Sequence, residues 1–177
     1  AHSVAADAER YATLPPLTYA REGHNALLTR AREVQTRVVT LLVRWFQTKE
    51  PRFRDAAVAY VREMGAWEYW SWIARRAGDA AYDAIFDLSY GENSATLAIA
   101  YDWLYDTLTA DERTLFLDIA RERAFAAGLK HAQPDGAWWF GKPDSNWNTV
   151  CAGGLGMLAL AMFEDTPEAT ELLPGVE

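Results

Sequence analysis

The feature that most constrains the fold is a series of helical patterns, alternately amphipathic and broadly apolar. Residues 24–47 carry apolar side chains at a spacing of about 3.6 residues, which places them on one face of a helix. Residues 93–107 and 148–164 are apolar on more than one face, which is typical of buried helices. No segment shows the alternating pattern of a β-strand. The sequence therefore predicts an all-α protein.

Short turns with capping residues separate these predicted helices. Pro51 is expected to begin a helix that pairs with 24–47, and Gly65 to end it. Thr109-Ala110-Asp111-Glu112 has the sequence of a capping box, and Thr166-Pro167-Glu168 is typical of a helix start. An inner apolar helix, a turn and an outer amphipathic helix recur about every 50 residues. This order predicts stacked helical hairpins, as in a toroid or solenoid.

The composition limits the classes of function. With 17 Lys and Arg against 25 Asp and Glu, the net charge is −8, so we do not expect nucleic acid to bind through a broad basic face. No apolar run is long enough to span a membrane. The single cysteine, Cys151, is predicted to be buried rather than reactive, and it excludes an intrachain disulfide. No phosphate-binding loop or metal motif is found, so neither a cofactor nor a metal is expected.

A long loop at 130–146 is the strongest candidate for a functional site. It is rich in Pro, Gly, Asp and Trp, and loops of that length in a compact domain tend to be functional. Its candidate residues, with those that follow at once, are Trp138, Trp139, Asn146, Trp147 and Asn148. Indole faces beside neutral amides suit a carbohydrate. Alternatively, one Asn caps the next helix and the Trp side chains fill space beneath the loop.

Two further residues are candidates for substrate binding. Glu92 stands at the start of the helix predicted at 93–107. Its carboxylate either contacts substrate or simply interacts favourably with the helix dipole. The loop at 130–146, the aromatic loop, contains one histidine, His131. This residue is either a substrate ligand or a polar surface residue.

Two motifs in this chain resemble those of a known enzyme group. The first is Tyr101-Asp102-Trp103-Leu104-Tyr105-Asp106, and the second is Asn146-Trp147-Asn148-Thr149-Val150-Cys151-Ala152-Gly153-Gly154. Both are similar to segments of the heparinase II/III-like and alginate-lyase group of polysaccharide lyases. There the first motif ends an inner helix of an incomplete α/α toroid, and the second begins a later one. The resemblance implies that residues 24–177 form part of such a toroid, with 1–23 as an N-terminal extension.

The same resemblance implies a reaction and residue roles. Lyases of this group neutralise the C6 carboxylate of a uronic acid, remove the C5 proton and expel the O4 oxygen by β-elimination. Asn146 matches the carboxylate-neutralising Asn best and Asn148 second, whereas Trp147 stands where some alginate lyases carry a catalytic His. The group's catalytic Tyr, and a His from a β-sandwich domain, are expected beyond Glu177.

The sequence thus predicts the substrate-binding N-terminal part of a lyase that cleaves uronic-acid-containing glycans. Its expected partners are an acidic polysaccharide or oligosaccharide and the C-terminal remainder of the same protein. The start Ala1-His2-Ser3 fits a processed N-terminus, so a periplasmic or secreted location is expected. Two alternatives remain: a non-catalytic helical-repeat module that binds glycan or protein, and a toroid glycoside hydrolase, which needs two carboxylates facing one cleft.

Overall fold

The computed structural model describes residues 3–81 and 83–176, and within them it contains helices and no strand. The α-helices are α1 (Val4–Thr13), α2 (Ala26–Thr48), α3 (Pro51–Gly65), α4 (Trp72–Ala77), α5 (Leu88–Leu104), α6 (Ala110–Ile119), α7 (Ala126–His131), α8 (Asn146–Ala161) and α9 (Pro167–Val176). A π-helical segment, Ala120–Phe125, joins α6 to α7, and a 3-10 turn, Tyr105–Thr107, follows α5. The predicted all-α fold is confirmed.

Helices α2, α5 and α8 lie side by side in one layer and run in the same direction. Near their starts, Arg32 of α2 donates to Glu92 of α5 over 2.9 Å, and near their ends the rings of Phe46 and Trp103 lie 5.6 Å apart. The start of α5 packs on α8, and the ends of the two helices share a groove. The returning helices α3, α6–α7 and α9 pack against this layer and against one another. The described residues of this layer and its returning helices therefore form three adjacent helical hairpins.

The contact between α5 and α8 is a contact between two backbones. A Cβ atom placed on Gly154 would lie 2.1 Å from the carbonyl oxygen of Gly91. A Cβ atom on Gly91 would lie 2.4 Å from the carbonyl oxygen of Val150. Only glycine allows the helices to approach this closely, because both obstructing atoms belong to main chain that cannot rotate away. This contact fixes the position of the first turns of α8.

Helix α5 begins at Leu88 rather than near residue 93, because Asp87 caps it. The buried Asp87 carboxylate accepts hydrogen bonds from the Ser89 amide at 2.9 Å and from the Ser71 hydroxyl at 2.7 Å. Ser71 itself caps α4, so one carboxylate joins the starts of two helices. Burial raises the pKa of Asp87 to about 6.

Two local predictions are confirmed and one is wrong in part. Thr109 and Glu112 form the reciprocal capping box, and Cys151 is fully buried, where burial raises the pKa of its thiol. The apolar helices α5 and α8, however, are not buried on every side. Exposed apolar side chains at and around their C-terminal ends are Trp103, Met157, Leu160 and Phe163. Trp103, Met157 and Leu160 border a groove of about 330 Å³, so one face of the inner layer is uncovered by the described residues.

The segment 1–23 contains α1, which packs against α2 and α3 and buries Ala8 completely. The indole N–H of Trp67 donates to the Leu17 carbonyl over 2.8 Å. A doubly hydrogen-bonded ion pair also joins Arg52 of α3 to Glu9 of α1. The described part of this segment is therefore packed onto the helical hairpins.

Candidate functional site

The aromatic loop and the first turn of α8 enclose a cavity of about 240 Å³. Four residues predicted for the site line it together: His131, Trp138, Trp139 and Trp147. The opposite wall comes from residues 84–86, the segment that leads into α5. The long loop therefore folds back onto the start of α5 and forms a concave surface.

Trp138 and Trp147 form the exposed aromatic surface of this cavity. Their ring centroids lie 5.3 Å apart, and 57% of Trp138 is exposed while Trp147 is partly buried. The Nζ atom of Lys142 lies 5.6 Å from the Trp138 ring centroid. An indole face with a cation above it offers an apolar contact and a positive charge at the same place.

Trp139 has a different role from its neighbour. Only 1% of it is exposed, and its indole N–H donates to the Phe86 carbonyl over 2.9 Å. Its ring lies 5.8 Å from that of Phe86, within the core. Of the three predicted sugar platforms, Trp139 thus supports the wall from behind, and Trp138 and Trp147 present the surface.

The two asparagines are divided between structure and surface. Ser145, not an Asn, caps α8 by accepting a hydrogen bond from the Trp147 amide over 3.3 Å. Asn148 accepts one from the Gly141 amide over 3.2 Å, which ties the loop to the helix. Asn146 is exposed at the first position of α8, and its side chain forms no hydrogen bond with any other described residue. Neither asparagine lines the cavity, but Asn146 directly precedes Trp147, which does, and its side-chain amide is the uncommitted one.

His131 lies at the end of α7 on the cavity wall. Its Nε2 atom lies 2.9 Å from the Asp83 carbonyl oxygen. Because a carbonyl only accepts, Nε2 carries a proton in this contact. Lys130 holds the carboxylate of the same Asp83 at 3.0 Å. The imidazole is thereby fixed in one orientation.

Glu92 does not line the aromatic cavity. It lies in the second turn of α5, because that helix starts at Leu88, so neither its predicted position nor a first-turn interaction with the helix dipole is observed. Its carboxylate instead forms an ion pair with Arg32 of α2. The structure separates Glu92 from the four residues that share the cavity.

Sequence reasoning missed Trp72, whose ring centroid lies 5.5 Å from that of Trp147. It extends the row of indoles to three, although Trp72 itself is buried. The only signal for it was the cluster of Trp residues at 67–72, which is also typical of a core. Nothing in the sequence pattern pairs it with Trp147.

The described residues that line this cavity supply indole, imidazole and apolar groups. None of the described residues that line it carries a carboxylate. In residues 3–81 and 83–176, no group of three or more His, Cys, Asp and Glu side chains is placed to hold a metal ion. The helices of these ranges include none that is long and apolar enough to cross a membrane.

In comparisons with known proteins, no family model matches the chain and no curated protein matches it.

Proposed function

We propose that this chain is the substrate-binding part of a polysaccharide lyase that cleaves uronic-acid-containing glycans by β-elimination, and that its hairpins belong to an incomplete α/α toroid. The observation that carries the proposal is the packing of Trp138 against Trp147, with Lys142 and Asn146 between the two indoles in the sequence. Sugar rings present C–H groups that pack on indole faces, and a uronate adds one carboxylate. Aromatic, cationic and amide groups are thus combined as an acidic sugar requires.

Asn146 is the residue that we assign to the carboxylate. Its amide offers two uncharged donors, and its position in the first turn of α8 adds the positive end of the helix dipole. In β-elimination, negative charge grows on the carboxylate as the C5 proton leaves. Donors already in place at that group stabilise the enolate-like intermediate without reorganisation. Asn146 is therefore expected to affect both binding of the uronate and its cleavage.

The cavity lining supports a lyase over a hydrolase of similar architecture. Glycoside hydrolysis uses a pair of carboxyl groups that flank the scissile bond. The described lining residues include no Asp or Glu, and Glu92 is held in an ion pair outside the cavity. Elimination requires neutralisation of the substrate carboxylate instead, and a carboxylate-free cavity is compatible with that requirement.

Asn146→Ala is expected to weaken binding of a uronate oligosaccharide about tenfold, because one charge-assisted hydrogen bond contributes about 1.4 kcal/mol. Calorimetric titration with alginate oligosaccharides measures the affinity, and the ultraviolet absorbance of the unsaturated product reports elimination. The same oligosaccharides with reduced carboxyl groups should bind the wild type and Asn146→Ala with equal affinity. Thr149→Ala, one turn further along α8, is the matched control. Equal affinity of Asn146→Ala and Thr149→Ala for the uronate would contradict the assignment.

Trp138→Ala is expected to weaken binding of the acidic and the carboxyl-reduced oligosaccharides alike, about tenfold each, because packing on an indole does not depend on the carboxylate. Trp103→Ala removes an exposed indole from the uncovered groove at the other end of α5 and serves as the control. Quenching of tryptophan fluorescence on titration measures both affinities. If Trp103→Ala weakened binding as much as Trp138→Ala, the aromatic cavity would not be the glycan site.

A further inference from the structure

A second cavity, of about 370 Å³, adjoins the aromatic one where the start of α2 meets α4. Its polar lining residues are Arg21, Glu22, His24, Arg75 and Arg76. Trp72 lines this cavity, and its ring packs against Trp147, which lines the aromatic cavity. The two cavities are therefore separated by one pair of indoles in contact, whose planes are tilted by 57°.

The second cavity has an excess of positive charge in a protein of net charge −8. Arg75 and Arg76 form no ion pair with any residue in 3–81 or 83–176. Nη1 of Arg75 donates to the Arg21 carbonyl over 3.1 Å, and Nη1 of Arg76 lies 3.4 Å from Nδ1 of His24. These contacts hold the two guanidinium groups in place while most of their N–H donors stay uncommitted. Glu22 is the one carboxylate among the described lining residues.

The start of α2 adds to this positive charge. Ala26, the first residue of α2, lines the cavity, and the side chain of Asn25 makes no capping hydrogen bond. No acidic residue occupies the first turn. The amides of a helix start have no partners within the helix and carry the positive end of its dipole. Arginine donors and helix amides thus surround the same space.

We propose that this second cavity binds an anionic group, a carboxylate or a sulfate, on the same glycan chain that occupies the aromatic cavity. Arg75 and Arg76 supply the charge and the planar donor pairs that match such an oxyanion. Trp72 and Trp147 place this subsite next to the Asn146 site, so one acidic chain reaches both. The identity of the ligand as a glycan rests on the proposed function, whereas the anion site itself does not.

Inorganic sulfate tests the anion site without any glycan. Titration of the whole chain with sulfate, followed by the imidazole NMR signals of His24, should give a saturable shift. The double variant Arg75→Gln/Arg76→Gln should lose at least about tenfold in sulfate affinity. Arg62→Gln, at the exposed end of α3, should leave the affinity unchanged. A linear, unsaturated shift, or an equal loss in Arg62→Gln, would overturn the site.

Uronate oligosaccharides of increasing length test whether the two cavities share a ligand. Long oligosaccharides should bind the wild-type chain more tightly than short ones, and the double variant should lose this gain while keeping its affinity for short ones. An unchanged gain in the double variant would overturn the shared ligand. Absence of all glycan binding would contradict the proposed function, and the sulfate titration would still decide the anion site separately.

Discussion

Gly154→Ala is expected to lower the free energy of unfolding by about 3 kcal/mol, because the new methyl group would overlap the main chain of α5. The Cβ atom would lie 2.1 Å from the Gly91 carbonyl oxygen, and relief requires the two helices to separate. Alanine favours a helix over glycine by about 1 kcal/mol, which is too little to offset the overlap. Urea unfolding followed by far-ultraviolet circular dichroism measures the change.

The neighbouring glycine is the matched control. Gly153 lies in the same helix, and a Cβ atom there would meet nothing within 4 Å. Gly153→Ala should therefore raise the free energy of unfolding by about 1 kcal/mol through helix propensity alone. If the two variants had the same stability, α5 and α8 would not be in main-chain contact. Because this contact fixes the start of α8, Gly154→Ala should also weaken glycan binding at Asn146.

This pair of glycines shows how far the sequence determines the fold. The apolar run at 148–164 predicts a helix, and the capping sequences predict where the hairpins turn, because these signals depend on residues within one turn of each other. Nothing in the run distinguishes Gly153 from Gly154. That difference arises only when Gly91, far away in the chain, packs against one of them.

The same reasoning applies to the candidate site. The composition of the loop at 130–146 predicts a functional site there, and His131, Trp138 and Trp147 do share one cavity. The sequence gives no means of telling Trp138 from Trp139, because which indole is buried depends on the carbonyl of Phe86. The sequence likewise does not identify the ion-pair partner of Glu92, because Arg32 lies on another helix.

The second large effect on the free energy of unfolding is expected at Glu112. Its carboxylate forms a bidentate ion pair with Arg54. One of its hydrogen bonds, from Nη1 of Arg54 to Oε1 of Glu112, is 3.0 Å long. The same carboxylate accepts the Thr109 amide at 2.9 Å within the capping box. The ion pair with Arg54 lowers the pKa of Glu112 from 4.5 to about 2. The pair joins α3 to the start of α6.

A lowered pKa means that the carboxylate stabilises the fold at any pH above its unfolded value. This contribution is complete above about pH 4.5 and is lost as the pH falls through about 2. The shift corresponds to about 3 kcal/mol, and we expect about 2 kcal/mol because water partly screens the pair. Asp87 acts in the opposite direction: its pKa is raised to about 6, so acidification from pH 6 towards 3.8 relieves the cost of its buried charge.

Glu112→Gln separates the pH-dependent contribution of Glu112 to stability from that of Asp87. At pH 6 the free energy of unfolding of the variant should be about 2 kcal/mol lower than that of the wild type. This difference should shrink towards zero as the pH approaches 2. Because Asp87 is present in both proteins, its contribution cancels in the difference. Urea unfolding across this range measures the difference, with Glu171→Gln, an exposed carboxylate on α9, as the control. A difference that stays constant with pH would show that Glu112 stabilises the hairpins through its shape and neutral hydrogen bonds rather than through its charge.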